Sequence, residues 1–159
     1  MMAGIRGRDT KPELLIRRGL HALGYRFRLG DRYRPGGKAL PGKPDIVFPA
    51  RRAAILVHGC FWHGHDCHLF RWPLTRPEFW QSKLTGNVAR DRRTIDLLLA
   101  NGWRVGVVWE CQLKGRARAP LDEVVLALAR FLNGDEPHLE IGSKKTIEMR
   151  DSRSQLGIR

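Results

Sequence analysis

Residues 41–67 read PGKPDIVFPARRAAILVHGCFWHGHDC, and they contain both a predicted pair of core strands and a cluster of reactive side chains. Two apolar runs, residues 46–48 and 53–57, are separated by the four residues PARR, a length and composition typical of a hairpin connection. After Val57 the apolar periodicity stops. Four of the six histidines of the chain then lie within eleven residues, together with two cysteines. The stretch therefore predicts two core strands followed by a chemically active loop.

Helices are predicted on both sides of this stretch. Thr10 and Glu13, with Pro12 between them, form a capping box that begins an apolar-periodic helix ending at Gly24. Residues 25–29 then alternate between apolar and cationic side chains, which predicts a short strand. On the other side, a second capping box at residues 75–78 begins a helical region that runs to about residue 101, with a break expected near Gly86.

The last predicted elements are a strand over residues 103–109 and an amphipathic helix over residues 120–132. This order of elements predicts an α/β domain in which helices flank a small mixed sheet. The domain is expected to cover residues 1–134. Residues 135–159 are polar and lack periodicity, so they are predicted to be a mobile C-terminal tail.

Charge and cysteine content narrow the function classes. The chain has 29 Lys and Arg against 16 Asp and Glu among 159 residues, a formal net charge of +13, which predicts a polyanionic partner and in particular nucleic acid. No apolar run approaches the roughly 18 residues of a membrane span, so no membrane partner is expected. Three cysteines cannot all pair within one chain, which indicates a reducing cytoplasm.

A zinc site is predicted from the cysteine and histidine spacing. Cys60, His65 and Cys67 lie within eight residues, and the end of a predicted strand brings Cys111 to them. Four such ligands suit a closed, tetrahedral, structural zinc ion. His63 or His68 remains an alternative to His65 as the histidine ligand.

Other side chains in this stretch suit hydrolytic chemistry on DNA. Asp45 precedes a core strand and lies beside a flexible basic segment, where a carboxylate can hold magnesium. A histidine that does not bind zinc can act as a base near neutral pH, and His63 and His58 are the candidates. Phe61 and Trp62, on a loop of a basic protein, are suited to insertion into a base stack.

The string HGCFWHGHDC, with PGKPDIVF before it and TRPEFW, NVARDRR, GWRV and VWEC after it, closely resembles the very-short-patch repair (Vsr) endonucleases. The resemblance covers roughly residues 2–133. It implies a restriction-endonuclease-like core with a structural zinc site. It also implies a magnesium-dependent enzyme that nicks one strand of double-stranded DNA 5′ to the thymine of a T:G mismatch, the product of 5-methylcytosine deamination.

The resemblance also implies roles for individual residues. Asp45 and the main-chain carbonyl of Val57 would hold magnesium, and His63 would be the general base. His58 would support the phosphate, with Glu13 and Asp91 in the surrounding polar network. The zinc ligands Cys60, His65, Cys67 and Cys111 are the set that spacing indicates. Met2, Phe61 and Trp62 would form the wedge that enters the DNA.

A bacterial, cytoplasmic, nucleoid-associated monomer is expected on the same basis, with mismatch-repair proteins as further partners. Two other hypotheses remain. One is a nuclease of the same fold with a different lesion or sequence specificity, since nothing in the sequence itself specifies T:G. The other is a zinc-stabilised DNA-binding module without catalysis, against which the pairing of Asp45 with His63 argues.

Overall fold

A computed structural model describes residues 9–142 as one sheet with helices on both faces. The helices are α1 (Lys11–Ala22), α2 (Pro77–Ala100) and α3 (Leu121–Asn133), and the strands are β1 (Ile46–Phe48), β2 (Ala53–His58), β3 (Arg104–Trp109) and β4 (His138–Ile141). Within residues 9–142, no helix combines the length and the apolar character that crossing a bilayer requires.

The sheet is mixed and has the strand order β1-β2-β3-β4. β1 and β2 form the predicted antiparallel hairpin, with Ile46 opposite Ile55. β2 and β3 are parallel, and so are β3 and β4, so each of these pairs is joined by a helix that returns the chain to the same end of the sheet. The carboxyl ends of β2 and β3 therefore lie side by side, with His58 beside Trp109.

Both faces of the sheet are covered, because its strands alternate apolar side chains between two cores. Ile55 and Val57 face the core that contains Ile16 of α1 and Leu128 of α3. The intervening Leu56 faces the second core, on the side of α2. The predicted fold class, a small mixed sheet flanked by helices of the restriction-endonuclease-like type, is confirmed.

The strand predicted over residues 25–29 is reduced to a single bridge. Arg28 and Val47 exchange two backbone hydrogen bonds of 2.8 Å, which extends the sheet by one residue pair beyond β1. The chain then leaves the sheet, because Leu29 accepts hydrogen bonds from the backbone N–H groups of Arg32 and Tyr33 and so begins a turn.

Helix α2 also differs from its prediction. It is continuous from Pro77 to Ala100, without the break expected at Gly86. The capping box predicted at Thr75 does not form. Instead Arg76 occupies the N-cap position with a left-handed φ of 53°, and its side chain makes no capping hydrogen bond. Pro77, at the first helical position, fixes where the helix begins.

The structure corrects the prediction of a tail over residues 135–142, whereas residues 143–159 of the predicted tail lie outside the described residues. His138–Ile141 forms β4, which pairs with β3 from Val105 to Val108. His138 and Glu140 alternate with Leu139 and Ile141, which pack against the core that contains Ile16 and Leu128, but an alternation over only four residues is too short to identify a strand from sequence. The indole N–H of Trp109 donates to the Glu140 carboxylate at 2.9 Å and ties β4 to the end of β3.

Candidate active site and metal cluster

A cleft of about 1060 Å³ opens beside the carboxyl ends of β2 and β3. Every side chain that the sequence analysis proposed as catalytic lines it. These side chains come from five separate parts of the fold: Glu13 from α1, Asp45 from the residue before β1, His58 from the end of β2, His63 from the loop that follows, and Asp91 from α2. The cleft is therefore the candidate active site.

Asp45 is held against the end of β2. Its Oδ2 accepts a hydrogen bond of 2.6 Å from the backbone N–H of Val57. The backbone of Gly30 packs closely against the preceding residue, Pro44. A Cβ added at Gly30 would lie 1.7 Å from the Pro44 carbonyl oxygen. Burial in the cleft, reinforced by the Glu13 carboxylate, raises the pKa of Asp45 to about 7, although the Val57 hydrogen bond opposes the shift. A cation placed at this carboxylate would favour its ionised form.

Glu13 is buried and already has its hydrogen-bond partners. Its Oε2 accepts from the backbone N–H of Asp9 at 2.9 Å and from the Arg17 guanidinium at 3.1 Å. The hydroxyl of Thr10 caps α1 as predicted, because it accepts from the backbone N–H of Glu13 at 3.4 Å. Glu13 thus lies on the wall of the cleft and fixes the start of α1.

His58, His63 and Asp91 form a second group, called here the cleft cluster. Their ligand atoms all lie within 4.8 Å of one another. His63 Nδ1 lies 2.5 Å from Asp91 Oδ2, and the two imidazole rings stack at a centroid distance of 3.9 Å and an interplanar angle of 8°. The carboxylate selects the tautomer and the stacking fixes the ring plane, so Nε2 of His63 is left to exchange a proton.

His58 is a neutral imidazole in this setting. It is 6% exposed, and burial, followed by the neighbouring His63 and His65, lowers its pKa well below the ordinary value. Its Nδ1 has no hydrogen-bond partner in the part of the chain that the structure describes. His58 can therefore donate or accept one hydrogen bond, but it does not carry a charge at neutral pH.

Helix α2 contacts two successive residues of the loop after β2, Trp62 and His63. Asn87 Nδ2 donates a hydrogen bond of 2.8 Å to the carbonyl oxygen of Trp62, and Asp91, one turn later, contacts the ring of His63. The oxygen of the Asn87 amide accepts from Arg90. In the sequence, only the i, i+4 spacing of Asn87 from Asp91, which places both on one helix face, points to a role for Asn87.

Phe61 and Trp62 lie in a cluster of aromatic rings at the edge of the cleft. Both are half-buried, and their ring centroids are 5.1 Å apart. Trp80 of α2, which the sequence analysis missed, contacts both of them at 5.4 and 5.9 Å. Met2, the third residue proposed for the DNA wedge, lies outside the described residues.

The four predicted zinc ligands come together in a separate, buried group, called here the thiol cluster. Its members are Cys60, His65, Cys67 and Cys111, whose ligand atoms all lie within 4.8 Å of one another. Cys111 Sγ is 3.7 Å from His65 Nδ1. The structure thus places His65 with the thiols, whereas His63 belongs to the cleft cluster and His68 packs against Gly115.

The thiol cluster fits a tetrahedral ion. Ligands about 2.0–2.3 Å from one shared ion lie roughly 3.5–3.8 Å apart, close to the contact between Cys111 and His65. A hydrogen bond from Cys60 lowers the pKa of Cys111 to about 4, while the same contact raises that of Cys60 and burial raises that of Cys67. Without a cation the three thiols cannot all ionise. A metal such as zinc would compensate their charges.

Two further residues of the cleft were not identified from sequence. Glu110, which follows β3, accepts a hydrogen bond of 3.2 Å from the backbone N–H of Cys60 and lies 3.7 Å from the Lys114 ammonium. Both side chains line the cleft. Glu110 therefore connects the first residue of the thiol cluster to the active-site wall.

Comparison with known proteins agrees with this geometry. Residues 1–69 match the family described as DNA mismatch endonuclease Vsr. The DNA mismatch endonuclease Vsr of Escherichia coli K12 is 41% identical over 143 residues, which are 90% of this chain and 88% of that protein. The nicking enzyme V.XorIIP of Xanthomonas oryzae pv. oryzae is 50% identical over 71% of this chain and 79% of its own length. V.NaeI of Lentzea aerocolonigenes, also a nicking enzyme, is 40% identical over 92% and 81%.

Proposed function

Because this chain belongs to the Vsr family of DNA mismatch endonucleases, we propose that it nicks one strand of duplex DNA 5′ to the thymine of a T:G mismatch. The observation that carries the proposal is the cleft, where Asp45 and the cleft cluster lie beside the aromatic pair Phe61 and Trp62. A hydrolytic centre and an apolar wedge on one loop suit an enzyme that distorts DNA before it cuts.

His63 is proposed as the general base. Its Nε2 takes a proton from water as the water oxygen bonds to phosphorus and the bond from phosphorus to the leaving oxygen breaks. Asp91 acts through His63, because its contact at Nδ1 holds the tautomer whose Nε2 accepts that proton. Removing the base should therefore affect the chemical step more than the binding of DNA.

Asp45 is proposed to hold magnesium, together with the main-chain carbonyl of Val57. Supporting this, the carboxylate lies in the cleft against the end of β2, and burial raises its pKa to about 7, because the neighbouring groups within residues 9–142 compensate its charge only in part. When bound, magnesium would supply Lewis-acid polarisation of the phosphate and stabilise the leaving oxygen.

His58 and Glu13 are proposed to support this centre. As a neutral imidazole, His58 offers an N–H to a phosphate oxygen rather than a positive charge, and its ring holds that of His63 in place. Glu13 keeps Arg17 at the cleft wall and, by its own charge, raises the pKa of Asp45. A structural zinc ion is proposed for the thiol cluster.

The wedge is proposed to supply the mismatch selectivity. Phe61 and Trp62, backed by Trp80, would enter the stack beside the mispaired thymine. A T:G wobble pair is easier to unstack than a matched pair, so insertion costs less at the mismatch. Met2 is proposed to act from the opposite side.

The test uses end-labelled duplexes that differ only in one T:G or C:G pair, incubated with and without magnesium, with wild-type protein and Asp45→Asn. We expect one magnesium-dependent nick on the thymine strand of the T:G duplex and none with the matched duplex or the variant. Equal cleavage of both duplexes would favour a nuclease of other specificity. Tight binding without a nick would favour a DNA-binding module.

A further inference from the structure

Six aromatic rings are joined by successive contacts and are called here the aromatic row, although the three rings at its centre, Phe61, Trp62 and Trp80, all contact one another. In order of contact the rings belong to Trp72, Phe70, Phe61, Trp62, Trp80 and Phe79, and the five successive centroid distances lie between 5.1 and 6.0 Å. The proposed wedge occupies only the middle of this aromatic row. Its two ends, Trp72 and Phe79, do not line the cleft.

The ends of the aromatic row are open to solvent. Trp72 is 55% exposed and Phe79 is 43% exposed, and Leu74 between them in sequence is 99% exposed. The other exposed large apolar side chains within residues 9–142 are scattered leucines, namely Leu23 just after α1, Leu97 of α2, and Leu121 and Leu126 of α3. Concentrated exposed aromatic surface of this kind marks a site of interaction.

The charge around the row identifies what it contacts. Arg71 precedes Trp72 and is exposed, and the Arg76 guanidinium lies 4.3 Å from the centroid of Phe79. Arg76 can stack on the ring and still offer its N–H donors to a phosphate. Residues 71–83 contain one acidic side chain, Glu78, and three cationic side chains, so this segment has a net positive charge. The cations are Arg71, Arg76 and Lys83. Aromatic faces interleaved with guanidinium groups suit nucleobases and phosphates.

We propose that the aromatic row is an extended DNA-binding surface, and that Trp72 contacts the nucleotides that flank the mismatch. The inference rests on the proposed wedge, since the position of Trp72 on DNA is measured from Phe61. Ring contacts of 6.0 and 5.1 Å separate Phe61 from Trp72, and stacked base pairs are spaced about 3.4 Å apart. Trp72 therefore reaches at most about three base pairs from the wedge, on one side of it.

The experiment measures DNA binding by the full chain in magnesium-free buffer, where no nick is expected. T:G duplexes carry 2-aminopurine one to six base pairs from the mismatch on either side, and its fluorescence reports local unstacking. With wild type, we expect a signal at the mismatch that extends up to three pairs on one side. Trp72→Ala should remove the outermost signal and weaken binding by about tenfold, because a base–aromatic stack is lost.

Two further variants separate stacking from loss of structure. Trp72→Phe keeps an aromatic face and should restore most of the affinity, whereas Leu126→Ala removes another exposed apolar side chain, from α3, and should bind DNA like wild type. The inference is overturned if the DNA affinity of Trp72→Ala is within twofold of that of Leu126→Ala. A protein partner would then be the better explanation of the exposed aromatic row. The inference is also overturned if Trp72→Phe is as weak as Trp72→Ala.

The outcome for the proposed function is read separately. If wild type nicks only the T:G duplex and Trp72→Ala binds normally, the proposed DNA contact of the aromatic row is wrong, while the proposed mismatch function stands. If wild type shows no preference for T:G while Trp72→Ala weakens binding to every duplex, the surface is correct and the mismatch specificity is not.

Discussion

The thiol cluster and the cleft cluster both take residues from the loop after β2, yet they differ in how far their side chains are buried. Residues of the two clusters alternate along the loop, with Cys60 and His65 in one and His63 between them in the other. All members of the thiol cluster are buried, while His63 and Asp91 keep about a quarter of their side-chain surface exposed, at 27% and 25%. The loop thus separates a closed site from an open one over three residues.

The difference shows how one short segment can serve both stability and catalysis. The backbone N–H of Cys111, just after β3, donates to Cys60 Sγ and ties the loop to the end of that strand. A metal ion held by the four side chains of the thiol cluster would fix the loop further, and with it His63, two residues before His65. The open site needs room for a substrate and so cannot be stabilised by its own packing. The variants described below change a side chain of the thiol cluster, of the cleft or of its support on α2, and those at Cys67, Asp45 and Asn87 also measure bound zinc.

Breaking the thiol cluster should have the largest effect. Cys67→Ser removes one of four ligands, and since metal binding and folding are coupled, we expect loss of bound zinc and a fall in Tm of more than about 10 °C. Metal content by atomic emission and thermal melting by circular dichroism test this. His68→Ala, which changes a neighbouring histidine outside the cluster, should keep its zinc. A zinc-free His68→Ala would show that the ligand set is wrong.

Removing the carboxylate of Asp45 should abolish nicking without affecting the thiol cluster. We expect Asp45→Asn to lower the single-turnover rate by at least about a thousandfold, or roughly 4 kcal/mol in activation free energy, because the proposed magnesium ligand is lost. Zinc content should stay at the wild-type value. A variant that still nicks within tenfold of wild type would remove Asp45 from the catalytic assignment.

His63→Ala should lower the nicking rate by about a hundredfold to a thousandfold, the usual effect of losing a general base. Asp91→Asn should cost less, because the ring keeps its stack against His58. Rates are measured at saturating protein so that binding does not contribute. The matched control is His21→Ala, an exposed histidine of α1. Equal rates for His63→Ala and His21→Ala would exclude His63 as the base.

Asp45 should also make the stability of magnesium-free protein depend on pH. Its pKa is about 7 in the folded protein against an ordinary 3.8, so between these values the folded state holds a proton that the unfolded chain has released. Stability therefore falls as pH rises from 4 to 7. Urea denaturation should show Asp45→Asn more stable than wild type by up to about 4 kcal/mol at pH 8, since one pKa unit corresponds to about 1.4 kcal/mol, and similar to it near pH 4. The same difference at both pH values would contradict this.

The smallest effect is expected at Asn87, which connects α2 to the wedge. Asn87→Ala frees the Trp62 carbonyl, so we expect the ratio of T:G to C:G nicking to fall by about tenfold while zinc content stays unchanged. Asn101→Ala removes a similar side-chain hydrogen bond, to Leu97, at the far end of the same helix. If both variants discriminate alike, Asn87 has no special role in the wedge.

The sequence was most informative where chemistry is concentrated in few residues. The three cysteines of the thiol cluster could be predicted as ligands from their spacing, which left His63 and His68 as alternatives to His65, and the hairpin of β1 and β2 could be predicted from two apolar runs and a short connection. Both depend on local patterns. The grouping of Asp45 with His63 came from family resemblance, since neither residue indicates the other by spacing.

What could not be predicted depends on tertiary contacts. β4 has an alternating sequence of only four residues, and its pairing with the parallel edge of β3 is what makes it a strand. The segment at Arg28 has the alternation of a strand, but the turn at Leu29 takes the chain away from β1 after one bridge. Trp80 could not be assigned to the wedge from sequence, because its contact with Phe61 joins two distant parts of the chain.

The separation of the two sites is tested most directly by measuring zinc and nicking on the same samples. Wild type and Asp45→Asn are purified without magnesium, assayed for zinc, and then given the T:G duplex before and after magnesium is added. We predict about one zinc ion per chain in both proteins, no nick before magnesium, and a nick afterwards with wild type alone. Nicking by the zinc-containing protein without magnesium, or loss of zinc from Asp45→Asn, would contradict two independent sites.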